Sequence, residues 1–110
     1  MSANACSEGT TPKPVLSCGD PSPFTVVNPD GQAPVVLVCD HASNAIPAAL
    51  DRLGLGPVAL SQHIAWDIGA ARVARLLAER LDAPAVLAGY SRLVIDCNRP
   101  PGDPTSIAEV

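Results

Sequence analysis

Every residue from Val35 to Cys39, in the run VVLVC, is apolar, and Asp40 and His41 follow without a spacer. A strand with one wet face alternates apolar and polar side chains. A run that never alternates reads as a strand covered on both faces, the habit of parallel sheets. Downstream, the segment LSQHIAWDIGAARVARLLAERLDAP carries Trp66, Ala70, Val73, Leu77 and Leu81 at spacings of three and four. That spacing predicts a helix with one apolar stripe. Arg72, Arg75, Glu79 and Arg80 occupy the rest of its surface, and Pro84 ends it. The run AVLAG, Ala85 to Gly89, then reads as a second buried strand and Leu93 to Ile95 as a third. Phe24 to Val27 offers a short strand closed by a turn at Pro29, Asp30 and Gly31, and a short helix is expected from Pro47, ended by Gly54 or Gly56. Strands alternating with helices imply an α/β fold: a layered, mixed and largely parallel sheet flanked by helices.

At 110 residues the chain has room for one domain. Residues 1–22, rich in Ser, Thr, Pro and Gly without period, read as a disordered leader, and 23–110 as the α/β part. Only 3% of residues are aromatic, so Val, Leu, Ile and Ala must fill the core. The net charge is −4 and the seven basic residues are scattered, so no nucleic-acid partner is expected. No apolar run reaches the roughly 18 residues of a spanning helix, and no secretory signal is visible, so no membrane partner and a cytoplasmic location are expected. The cysteines at 6, 18, 39 and 97 form no C-x-x-C pair. Cys39 and Cys97, flanking apolar strands, read as small buried hydrophobes, and a structural disulfide is not expected.

In such sheets ligands collect outside the carboxyl ends of strands, and two predicted strands end in polar clusters, CDHASN and IDCNRP. His41 can bind a metal through a neutral ring nitrogen with Asp40 beside it, or the segment is an Asx-type turn in which Ser43 or Asn44 caps the next helix. His63 and Asp67, spaced i, i+4 on the predicted helix, can share a metal or simply mark a polar helix start. Arg92, Asp96, Asn98 and Arg99 can clamp an anion, since a guanidinium fork matches a carboxylate. The alternative is a surface arginine paired with Asp96 at little energetic gain.

Taken together and in this order, VLVCDHASNAIP, HIAWDIGA and YSRLVIDCNRPPGDPTSI resemble N-formylglutamate amidohydrolases, from about Val35 to the last residue. The resemblance implies a zinc-dependent hydrolase fold akin to the carboxypeptidase-like exopeptidases. It places His41 at the metal-binding His of an H-x-x-E pattern, where Asn44 stands in place of the Glu. A carboxylate from elsewhere must then complete the pair, with Asp67 first and Asp40 behind it. The D-x-N-R run that holds a substrate carboxylate in that group matches Asp96, Asn98 and Arg99, with Asp96 orienting the other two.

The implied reaction is hydrolysis of the amide of N-formyl-L-glutamate or a similar N-acyl amino acid. Zinc would activate water, and Arg92, Asn98 and Arg99 would hold the carboxylates of a small acidic substrate. The general base, normally a Glu, and a further His ligand are expected beyond Val110, because no His follows His63. The chain therefore reads as an amino-terminal fragment, incomplete at its carboxyl end and inactive alone. The competing reading is a non-catalytic α/β module that holds a small carboxylate anion.

Overall fold

A computed structural model describes residues 14–107. Strand β1, Phe24–Val27, and strand β2, Leu37–Cys39, precede a 3-10 segment at Ala48–Gly54. The short helix α1, Pro57–Leu60, the longer α2, Ala70–Leu81, and strand β3, Ala85–Ala88, follow. The three strands form one sheet in the order β1-β3-β2. Central β3 runs antiparallel to β1, with Phe24 opposite Ala88, and parallel to β2, with Leu37 opposite Ala85. A parallel pair needs a crossover between its strands, and α2 supplies it, packing on β2 and β3. The α/β class and the mixed sheet expected from the sequence are both present. No helix among the described residues is long and apolar enough to cross a membrane.

The core is small. Ala42, Ala78, Ala85 and Leu87 are buried together, with Val27, Leu37, Cys39 and Ala71 packed around them. Helix α2 turns Ala74 and Ala78 toward the sheet, whereas the predicted stripe faces outward: Val73, Leu77 and Leu81 are exposed. Periodicity finds the helix but not its inner face, because short alanine side chains let the helix lie close to the strands. The VVLVC run is likewise corrected. Only Leu37–Cys39 joins the ladder, and Val38 is 70% exposed. Among the described residues β2 is an edge strand covered on one side, by α2.

The predicted helix does not begin before Ala70. Between α1 and α2 the chain turns, and Gly69, left-handed at φ 85°, precedes α2. The Asp67 amide donates instead to the His41 carbonyl, at 2.9 Å, which pulls position 67 out of helical register. Leu93 to Ile95 form no strand either. The buried Ser91 hydroxyl oxygen accepts the Leu93 amide at 3.1 Å, and Val94 donates to the Ser91 carbonyl. This local turn uses the amides that a ladder would need. Near Pro47 the expected helix is a 3-10 segment, with Asp51, Arg52 and Leu53 left-handed.

Of the predicted leader, residues 1–13 lie outside the described part. Residues 14–22 contain no helix or strand yet touch the domain. Asp20 accepts the Ala48 amide at 3.0 Å, and the Tyr90 hydroxyl donates to the Pro21 carbonyl. Hydrogen bonds from the Ser17 and Ala48 amides hold the Asp20 carboxyl below its ordinary pKa. Gly89 passes under this segment so closely that a Cβ there would collide with the Ser22 carbonyl oxygen. Cys18 is disulfide-bonded, contrary to the expectation from composition, whereas Cys39 and Cys97 are free thiols.

Candidate functional site

Because β2 and β3 are parallel, the chain leaves both at the same end of the sheet, and the segments that follow are sewn together by their backbones. Ser91 donates to the Ala45 carbonyl at 2.8 Å, and Arg92 donates to Ala65 at 3.2 Å. The Ser91 hydroxyl donates to the same Ala65 carbonyl at 2.7 Å. The Cys97 thiol donates to the Asp40 carbonyl at 3.3 Å. Two stretches that begin fifty residues apart in sequence, His41 onward and Ser91 onward, thus share one floor.

On that floor the His41 ring stands between two carboxylates. Its Nε2 lies 2.6 Å from Asp96 Oδ1, and its Nδ1 lies 3.4 Å from Asp67 Oδ2. Asp96 is 4% exposed and both of its oxygens face nitrogen partners. Oδ1 also takes the Asn98 amide at 3.0 Å, while Oδ2 faces Arg92 Nη2 at 3.4 Å and Arg99 Nε at 3.8 Å. Burial alone would raise the Asp96 pKa. The hydrogen bonds from His41 and the Asn98 amide, with the charges of His41 and Arg92, outweigh it and hold the carboxyl below its ordinary value. An ionised Asp96 only accepts, so the Nε2 it faces carries the proton. In the neutral ring, the Nδ1 lone pair then points at the Asp67 carboxylate. Two acceptors facing each other call for a cation between them or a second proton on the ring.

The 3.4 Å separation of these two acceptors suits a metal. Ligands about 2.0–2.1 Å from a tetrahedral zinc lie roughly 3.4 Å apart. The 2.6 Å contact on the other ring nitrogen is the carboxylate–histidine hydrogen bond that fixes tautomer and orientation in metal sites. The donor set is short, however. Among the described residues no group of three or more His, Cys, Asp or Glu is arranged to hold a metal ion.

The structure brings His41, Asp67 and Asp96 together and distributes the other predicted residues around them. Asp40, Asn98, His41 and Asp67 line a groove of about 520 Å³ that runs between β2 and α2. Arg92 lies in a second cavity, with His63 and Thr105. The Arg99 side chain is half exposed, its Nε stands 3.8 Å from Asp96 Oδ2, and its charge also acts on Asp103. His63 and Asp67 do not share a helical face, because the chain around them is not helical. Asn44 spends its side-chain amide on the Leu60 carbonyl at 2.8 Å, closing α1, and Ser43 caps its own turn through the Ala45 amide. Burial, then Asp67 and Asp40, push the Cys39 thiol up, and burial with Asp40 does the same to Cys97. Neither thiol is activated as a nucleophile.

Sequence reasoning assigned Asp96 to the arginines and missed its bond to His41. The available signal was topological: two polar clusters, each following a strand of one parallel pair, must meet. The placement of His63 beside Arg92 carried no such signal, since it depends on the turns that replace the predicted helix.

A family model described as N-formylglutamate amidohydrolase matches residues 33–109. No curated protein matches the chain. Among solved structures, the crystal structure of a gene product from Agrobacterium tumefaciens is 44% identical, with a TM-score of 0.81. The match covers 86% of this chain and 37% of that one, so the chain spans little more than a third of that relative's length.

Proposed function

The chain belongs to the N-formylglutamate amidohydrolase family, and on that footing we propose that its polar strand ends serve a metal-dependent hydrolysis of N-formyl-L-glutamate or a similar N-acyl amino acid. The observation that carries this reading is the His41 ring, held by Asp96 on one nitrogen and open to Asp67 on the other. His41 Nδ1 and Asp67 would hold zinc, with the remaining coordination positions filled from outside the described residues. When bound, the ion supplies Lewis acidity toward the acyl carbonyl.

The chain's own residues have separate tasks. Asp96 keeps a proton on Nε2 and so presents the Nδ1 lone pair. Asn98, lining the groove beside His41, offers a directed amide to the substrate. Arg92 and Arg99 neutralise carboxylates and orient the scissile bond, with Asp96 Oδ2 limiting how far their guanidinium groups can swing. The activity is that of the whole enzyme to which these residues belong, in a cytoplasmic setting.

Zinc binding tests the proposal. Titration of the chain with zinc should raise its melting temperature and move the His41 ring resonances. A chain that neither binds zinc nor responds at His41 overturns the hydrolase reading. One finding favours a second reading, a non-catalytic module for a small carboxylate: the described residues bring arginines to the site but only two metal donors. Carboxylate binding without zinc binding would select it.

A further inference from the structure

Asp96 bonds a residue of the groove through one oxygen and a residue of a second cavity through the other. This second cavity, of about 230 Å³, is lined by His63, Ile64, Arg92, Leu93, Asp96 and Thr105. Its polar groups do not balance. Asp96 brings the cavity's one carboxylate, whose Oδ1 accepts from His41 and the Asn98 amide and whose Oδ2 faces Arg92 and Arg99 at ion-pair distances. A guanidinium carries five N–H donors, yet Arg92 engages Asp96 through Nη2 alone. The His63 ring makes no hydrogen bond or ion pair among the described residues. The cavity therefore offers N–H donors on Arg92 and His63 that no protein group among the described residues uses. Ile64 and Leu93 supply an apolar wall beside those donors. A ligand that satisfies all of this is a carboxylate on a short methylene stem.

We infer that this cavity is the pocket for the acidic side chain of the substrate, and that His63 is a specificity-determining residue acting with Arg92. This inference rests on the hydrolase reading for the substrate it names. It divides the predicted grip in two: Arg92 and His63 take the side-chain carboxylate, and Asn98, in the groove, is left for the part of the substrate nearer His41. A guanidinium fork with an imidazole donor beside it fits a planar carboxylate and gives a neutral carboxamide no ionic partner.

The chain has two histidines, so the ring proton resonances of the whole chain report the two sites separately, once a His63→Gln variant has assigned them. Glutarate is the probe and glutaramide the neutral control. Glutarate should shift the His63 resonances in a saturable way and glutaramide should not. Arg92→Gln should weaken glutarate about tenfold, the loss expected for one charged hydrogen-bonding partner. Should that variant fail to fold, Arg92→Lys keeps the charge beside Asp96, loses the fork, and should weaken glutarate several-fold. A His63 ring that ignores glutarate, responds equally to glutaramide, or binds unchanged in a folded Arg92 variant overturns the inference. Zinc is read at the other ring. A chain that takes glutarate at His63 but no zinc at His41 loses the hydrolase reading and keeps the pocket, and the reverse result removes the pocket alone.

Discussion

His41 Nε2 and Asp96 Oδ1 lie 2.6 Å apart although 55 residues separate them in sequence. This contact ties the chain after β2 to the chain after β3, and both partners are largely shielded from water. Removing one partner of a buried pair leaves the other without compensation, a loss of about 3 kcal/mol. Asp96→Ala should therefore lower unfolding free energy in urea by about that amount. Asp96→Asn, which keeps an acceptor oxygen, should lose clearly less. Equal losses in the two variants would mean that packing, and not the hydrogen bond, holds the site.

The depressed pKa of Asp96 sets an acid limit on stability. The unfolded carboxyl titrates near its ordinary value of about 3.9, above the folded one. Around and below pH 4 the unfolded chain thus binds more protons than the folded chain. The contribution of Asp96 is fully present above that range and is lost as pH falls through the folded value. Unfolding free energies measured between pH 6 and pH 3 should fall steeply in the wild type and less steeply in Asp96→Asn. Parallel curves would assign the acid limit to other groups.

Zinc affinity should depend on three side chains to different degrees. His41→Ala and Asp67→Asn each remove a proposed ligand and should abolish zinc binding measured against a chromophoric chelator. Asp96→Asn keeps both ligands but loosens the ring, and a loss of about 10–100-fold is expected for an outer-shell partner. Undiminished binding in Asp67→Asn would move the carboxylate ligand to Asp40, which also lines the groove.

Helix α2 makes its tertiary contacts through small residues, and that can be checked by volume. Ala78 is fully buried, whereas Leu77 is 43% exposed. Ala78→Leu should cost about 1–3 kcal/mol through overpacking. Leu77→Ala should stay within about 0.5 kcal/mol, as exposed positions usually do. The reverse order would place the predicted stripe against the sheet after all.

The fold was legible where local pattern and tertiary role coincide. Phe24–Val27 was read from a short run closed by a turn, the helical stretch after Gly69 from its period, and the strand at Ala85 from an apolar run after the Pro84 stop, and all are present. What failed were segments whose backbone is used elsewhere. The Asp67 amide bonds His41 instead of continuing a helix, and the Ser91 hydroxyl folds Leu93–Ile95 into a turn. The first partner lies far away in sequence and the second is a local side-chain oxygen that competes with the ladder, so propensity alone favoured the regular element. At the site, the residue types and their place after two strands were readable, because a parallel pair delivers both ends to one side. The division of labour was not, since whether Asp96 serves an arginine or a histidine is decided by side-chain reach across the sheet end.

Strand β2 has its backbone amides and carbonyls unmatched along one border among the described residues, with Val38 standing out of the surface beside the outward row of Val73, Leu77 and Leu81. A border of that kind is adhesive. It can take an extended chain that offers a complementary ladder, and it carries neither lysine nor proline, so only its three-residue length limits such pairing. Self-association in concentrated solution, where it occurs, is therefore expected to run through this margin of the sheet, at the opposite edge from β1.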